Sequence, residues 1–480
     1  MNDFPEGWEL YDPVPRNPED RGFWLDRVVF DTDSNGRRCI YEPGELIVTQ
    51  STLETKRTRD RIGSFRGEHK LFGDLVLLTE VDDVVARARD IRAAGGQAQP
   101  NHVLFADSFT GGWVHGNPAS FGNPASFGNP ASFGNPASFG NPASFGNPAS
   151  FGNPLGAPGL AGGCCSDCYG TWQPPVGPAD VPRKSLALAV PPPPDPTVDP
   201  EVGKGVNVRI IDTGLAADDY RPAFLTTDEC AFSDRVDIPN TDDDGCIDTT
   251  AGHGTFIAGI IDRMAPAANV RIDRMLDTFG VGNDADIGYL IAKIAVEGAP
   301  DLLNLSLSGY TEDDQPPMVM TEAIRLLTGR GGRSRRGGYG SRSIVVASAG
   351  NSSSCRKAWP AALPDVISVG ALSPTGPAWF TNFGPWVKAC APGVDIVSRF
   401  FERDPSLPEP PEHIPRDSTG SPFAGWASWS GTSFSAPIVV GALIQRHHLG
   451  ESLGQAVRSL IHDPSLTRMP GLGAIVNVHP

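Results

Sequence analysis

Two periods divide the chain. From Val206 onward, short β-branched runs alternate with longer apolar stretches. Val206 to Ile211, Val270 to Arg274, Leu302 to Leu307, Ser343 to Ser348 and Val366 to Val369 read as strands, with helices over Asp286 to Glu297, Met318 to Leu327 and from Ala436 onward. Strands alternating with helices predict a mostly parallel sheet covered by helices on both faces, an α/β fold. Upstream the pattern is finer: a strand at Glu45 to Thr49, a charged helix over Thr52 to Ser64, a strand over Lys70 to Thr79, a helix over Val81 to Ala94 ended by Gly95-Gly96, and a strand over Gln97 to Phe105. That β-α-β-α-β run predicts a small α+β module. Residues 1–43, rich in Pro, Asp and aromatic side chains without a clear period, read as an irregular arm.

Between the two patterned regions lies sequence that can form neither. Gly-Asn-Pro-Ala-Ser-Phe repeats six times from Gly116 to Phe151, with a partial seventh at Gly152-Asn153-Pro154. Glycine and proline every sixth residue exclude a helix or an interior strand. The expected organisation is therefore an arm (1–43), a small module (44–108), a tether (109–200) and a large α/β domain (201–480).

Within the large domain, four stretches carry chemistry. Gly431-Thr-Ser433-Phe-Ser-Ala-Pro437 precedes an apolar run and places a serine hydroxyl at a helix start, a position suited to a nucleophile and equally to a cap. Ala251-Gly-His253-Gly-Thr sets a histidine between glycines ahead of a buried helix. Val206-Asn-Val-Arg-Ile-Ile-Asp212-Thr-Gly214 is a strand ending on an aspartate, which alone also reads as a turn former. Ile344-Val-Val-Ala-Ser-Ala349-Gly350-Asn351 runs a strand into an asparagine.

In this order the four motifs resemble those of the subtilisin-like serine peptidases, which carry a triad in the chain order Asp, His, Ser. The one departure is Ser435-Ala436-Pro437, where that family often has Ala-Ser-Pro, and Ser433 stays in register. The resemblance implies Ser433 as nucleophile, His253 as base, Asp212 as its orienting acid and Asn351 as oxyanion donor. It also implies an extended peptide laid along Ser306, Leu307, Ser308 and Gly309, with Ala349 and Gly350 walling the first specificity pocket. The upstream module, with Pro100-Asn-His-Val-Leu104 as its last strand, looks like that family's prodomain, a ferredoxin-like intramolecular chaperone and inhibitor. A serine endopeptidase held as a zymogen by its own N-terminal module is the expectation. A catalytically silent fold that binds peptides is the alternative.

The resemblance implies protein or peptide partners, and composition argues against others. A formal charge of −17 argues against nucleic acid and anionic membranes, and no stretch approaches the roughly 20 apolar residues of a membrane span. The first ten residues offer neither a basic nor an apolar stretch, so a cytoplasmic location is expected. Eight cysteines are too sparse for a disulfide framework, and Cys164, Cys165 and Cys168 lack a fourth ligand nearby for zinc. Asn240 to Asp248 has the spacing of early calcium ligands but lacks the glutamate at the twelfth position, where Ala251 stands. Calcium is left open there; no metal site is assigned and no cofactor is required. Two insertions read as surface loops: Gly329 to Arg342 with five arginines, which could also dock an acidic partner, and Phe400 to Trp426, which could also overhang the cleft.

Overall fold

The computed structural model describes residues 28–33, 36–106, 186–194, 197–216, 237–239, 247–329, 343–402, 415–478 and 480. The hexapeptide repeats, Cys164, Cys165, Cys168, the arginine-rich insertion beyond Gly329 and most of the candidate calcium loop lie outside these residues.

The N-terminal part is built on a strand hairpin, β1 (Val29–Thr32) and β2 (Arg38–Thr49), paired antiparallel. Regular structure thus begins inside the stretch whose composition suggests an irregular arm. Helices α1 (Gln50–Glu54) and α2 (Lys56–Ile62) replace the single charged helix expected there, because Thr55 between them is extended (φ −83°, ψ 113°). Strands β3 (Gly67–Lys70) and β4 (Leu75–Thr79) form a hairpin where one strand was expected, turned through Gly73 at φ +59°. Helix α3 (Val84–Ala93) and strand β5 (Ala98–Ala106) follow. Leu46, Val48, Val76, Leu78, Val84, Val85, Ala88 and Ile91 fill the core between sheet and helices.

After β6 (Leu188–Ala189), the large domain runs β7 (Asn207–Asp212), α4 (His253–Met264), β8 (Asn269–Arg274), β9 (Val281–Asn283), α5 (Asp284–Glu297), β10 (Leu302–Leu305), β11 (Leu307–Ser308), α6 (Met318–Leu327), β12 (Ile344–Ser348) and β13 (Val366–Ser373). It closes with β14 (Gly376–Pro377), β15 (Ala389–Pro392), β16 (Ile396–Glu402), β17 (Ala424–Trp429), α7 (Thr432–His448), β18 (Arg468–Met469) and β19 (Gly473–Ile475). The main sheet has the order β18-β19-β15-β13-β12-β10-β7-β8 and is parallel from β19 to β8. Its two faces carry separate cores. Ile210 turns to the one that holds α4 and α7, and its neighbour Ile211 to the one that holds α5 and α6, as strand alternation requires.

Two corrections concern the nucleophile end. Helix α7 begins at Thr432, four residues before the start expected at Ala436. Phe400 and Trp426, read as the ends of a loop, belong instead to β16 and β17, paired antiparallel with Ile396 opposite Trp429. Phe400 and Phe401 are fully buried behind α4. The end of the expected tether is also ordered, since β6 pairs with β17.

Candidate active site

Asp212 is the last residue of β7, and His253 opens α4. Close approach of α4 to β16 on one side and to the turn after β7 on the other explains the glycines around the histidine. Gly252 sits at φ +81°, and a Cβ there would meet the Phe400 ring at 2.4 Å; a Cβ on Gly254 would lie 2.2 Å from the Gly214 carbonyl oxygen. With both Cβ atoms absent, His253 Nδ1 lies 2.7 Å from Asp212 Oδ1, which also accepts from the Thr213 amide at 2.8 Å. Both side chains are fully buried. The imidazole stands among aromatic rings, with Trp429 edge-on at 5.6 Å and Phe434 at 5.5 Å between centroids. Its Nε2 has no hydrogen-bond partner among the described residues.

Ser433 lies in the first turn of α7, next to Phe434. Pro437 has no N–H, so the Ser433 carbonyl four residues earlier has no helical donor. The Ser306 hydroxyl donates to it instead, at 2.7 Å, and itself accepts from Asn304 Nδ2. In return Ser433 Oγ donates to the Ser306 carbonyl at 3.0 Å. Ser433 Oγ is thus turned to the Ser306 carbonyl, with no hydrogen bond to His253, while the adjacent Phe434 packs against the imidazole. Asn351, beyond the end of β12, accepts at Oδ1 from the Thr432 amide and hydroxyl at 3.0 and 2.8 Å, which ties it to the same helix start.

The expected peptide-binding stretch is a strand, and it is occupied. Strand β5 lies antiparallel between β9 and β11: Phe105 faces Val281 on one side and Ser308 on the other, and Ala106 faces Leu307. Leu104 enters the apolar cluster of Leu276, Ile287 and Leu307, while Phe105 packs with Ile40, Phe279 and Val281. A Cβ on Gly309 would meet the Val103 carbonyl at 2.7 Å, which accounts for glycine there. Of the expected substrate residues, Leu307, Ser308 and Gly309 line this strand groove. Ser306 turns its hydroxyl to the helix start instead. Ala349 and Gly350 are buried beside Asn382, whose Nδ2 donates to the Ala349 carbonyl at 2.8 Å.

Polar groups of the N-terminal part complete the contact. Asn101 Oδ1 accepts from the Ala285 amide in the first turn of α5, and Gln99 Oε1 from the Met318 amide that opens α6. These are orphan donors of the two helix starts, and the side chains satisfy them. Glu312, with no exposed side-chain surface, accepts from Arg89 at 2.7 Å and Arg92 at 2.5 Å. Its amide donates to His102 Nε2 at 3.0 Å. Burial, aided by Arg92 and Arg356, pushes the His102 imidazole down to about 3.

Sequence reasoning misses several of these groups. Asp237 Oδ2 accepts from the Thr213 hydroxyl and the Gly252 amide, both at 2.7 Å. Burial pushes its carboxyl up to about 7 against the pull of Arg274 and those hydrogen bonds. A lone aspartate in an Asp-rich stretch carries no sequence signal of this kind, whereas the Gly-Thr before Ser433 could have marked Thr432 as a support for Asn351. Among the described residues, no cluster of three or more His, Cys, Asp or Glu could hold a metal ion, and no helix is long and apolar enough to cross a membrane.

A thermophilic serine proteinase of Bacillus sp. (strain AK1) is 32% identical over 248 residues, 49% of this chain and 51% of that protein. Subtilisin Savinase of Lederbergia lenta is 26% identical over 250 residues, 50% of this chain and 75% of that protein. The chain thus spans about half the length of the first of these relatives. Among solved structures, the protease domain of PatA aligns over 58% of this chain and 94% of its own at 23% identity, with a TM-score of 0.43. Residues 203–454, which hold Asp212, His253, Asn351 and Ser433, match the subtilase family over more than half of the sequence, and the chain belongs to that family.

Proposed function

We propose that the protein is a serine endopeptidase in which Asp212, His253 and Ser433 form the triad and the N-terminal module is an intramolecular inhibitor. The observation that carries this reading is the buried 2.7 Å pair of Asp212 and His253, with Nε2 left open beside the helix start that bears Ser433. A base needs one nitrogen anchored and the other available. To act with Nε2, Ser433 Oγ leaves the Ser306 carbonyl, and catalytic hydrogen bonds of this kind commonly tighten only once substrate binds.

Ser433 Oγ then attacks the peptide carbonyl carbon while Nε2 takes its proton. Asp212 holds the Nδ1 proton and stabilises the imidazolium. Negative charge on the carbonyl oxygen is met by Asn351 and the Ser433 amide. The tetrahedral species collapses as the imidazolium returns its proton to the leaving amine, and water hydrolyses the resulting ester by the same steps. Asn351→Ala is expected to leave the fold intact and lower kcat roughly a hundredfold to a thousandfold, the range known for subtilisin's own side-chain donor. Steady-state kinetics on a peptide substrate check it.

Substrate peptides are read as taking the place of β5, between β9 and β11, by backbone pairing. In the closed state β5 excludes them. Proteolysis that appears only after displacement or cleavage of residues 28–106, and is lost in Ser433→Ala, tests the whole reading. Peptide binding without turnover at any stage would favour a silent binding fold.

Closure should also weaken in acid. Once exposed, His102 takes up a proton below about pH 6.5, whereas the docked imidazole resists down to about 3. Docking is therefore unaffected above pH 6.5 and loses about 1.4 kcal/mol per pH unit as pH falls into that window. Hydrogen exchange of β5 amides between pH 7 and 5 measures this; opening that stays constant over the range contradicts it.

A further inference from the structure

We propose that Asp237 is a positioning residue for His253, acting through Thr213 and two backbone amides; the inference rests on the peptidase reading above. Asp237 is fully buried and lies outside the three residues of the triad. Its Oδ2 accepts from the Thr213 hydroxyl and from the Gly252 amide at 2.7 Å each. The Thr213 hydroxyl in turn accepts from the Gly254 amide at 3.0 Å. The amides immediately before and after His253 are thus tied to the residue immediately after Asp212. Its own backbone is fixed as well, since the Asp237 amide donates to the Leu215 carbonyl at 2.7 Å.

The chain of contacts has a specific consequence. His253 is flanked by glycines, whose backbone is the least restricted of any residue. The first turn of α4 is also where amides lack helical partners. The His253 amide is held locally by the Thr250 carbonyl at 3.1 Å, whereas the amides of Gly252 and Gly254 on either side of it take acceptors from elsewhere in the fold. Thr213 supplies one acceptor from the residue that follows the strand carrying Asp212, and Asp237 supplies the other from a segment bridged to Ala216, so base and orienting acid are tied together. Asp237 Oδ1 has no hydrogen-bond partner among the described residues, so both of the carboxylate's hydrogen bonds there serve this clamp.

Kinetics and magnetic resonance on the full chain test the role. Asp237→Ala and Thr213→Val should each lower kcat roughly tenfold to a hundredfold, as a misplaced base does, with KM within about twofold of the parent. The double variant should lose no more than the worse single one, because both break one chain of bonds. Thr213→Ser, which keeps the hydroxyl, should match the parent. If Asp237→Ala fails to fold, the contrast between Thr213→Val and Thr213→Ser decides alone. A folded variant with near-parental kcat, a loss carried by KM, or Thr213→Ser as impaired as Thr213→Val overturns the proposal. In a Ser433→Ala background, the low-field proton on His253 Nδ1 gives a readout independent of turnover: it should move or vanish in Thr213→Val and persist in Thr213→Ser. A parent chain that never cleaves peptide would refute the peptidase reading, and that proton would still decide whether the clamp exists.

Discussion

Replacing Ser433 with alanine is expected to lower kcat for peptide hydrolysis by about a million-fold, the loss known for the nucleophile of subtilisin and carried over from that enzyme. In the proposed triad the effect is large because nucleophile and base act as one unit, so removal of Ser433 disables both. Stability should change little. The Ser433 hydroxyl makes one hydrogen bond, to the Ser306 carbonyl, worth about 1 kcal/mol. The backbone bond from the Ser306 hydroxyl survives the substitution. Ile438, Val439, Val440, Leu443 and Ile444 remain fully buried, each contributing about 1.5 to 3 kcal/mol. Parallel measurements of kcat and thermal unfolding separate the two: unfolding at the parental temperature with no turnover is expected, and residual turnover within a hundredfold of the parent would remove Ser433 from the nucleophile role.

The second large effect concerns closure. Removing both Arg89 and Arg92 leaves the Glu312 carboxylate buried without its two partners across the interface, a situation that costs about 3 to 5 kcal/mol. Removing Glu312 costs less, because both arginines are partly exposed and regain water. Arg89→Ala with Arg92→Ala should therefore open the N-terminal part about a hundredfold to several thousandfold more often than in the parent. Glu312→Ala should fall short of that. Hydrogen exchange of the Leu104 and Phe105 amides in a Ser433→Ala background reports the opening. Equal effects from the two sides of the network would contradict the asymmetry, and no effect from either would remove the ion pairs from the closure.

How much of this could be read from the chain follows from which rules are local. The strand that ends on Asp212 and the glycines beside His253 obey sterics acting within a few residues, so their motifs are legible. The start of α7 is less so: Thr432 to Ser435 are helical because Ser306 and Asn351 bind them from elsewhere in the fold. Strand β16 escapes the alternation rule because Phe400 and Phe401 are both buried, one after the other. Its partner β17 has four small residues among its six. Glu312, in the run Tyr-Thr-Glu-Asp-Asp, reads as solvated acid until Arg89 and Arg92, more than 200 residues away, are placed against it. Asp237 is hidden for the same reason: its partners are a hydroxyl and an amide supplied by tertiary contact alone.

Reaction of the chain with a fluorophosphonate, followed by mapping of the modified peptide, tests the central claim most directly. With residues 28–106 displaced, a single stoichiometric adduct on Ser433 is expected, abolished by His253→Ala and slow while β5 occupies the groove. An adduct on another serine, or none under conditions that expose the groove, would contradict the assignment of Ser433 and His253 as nucleophile and base.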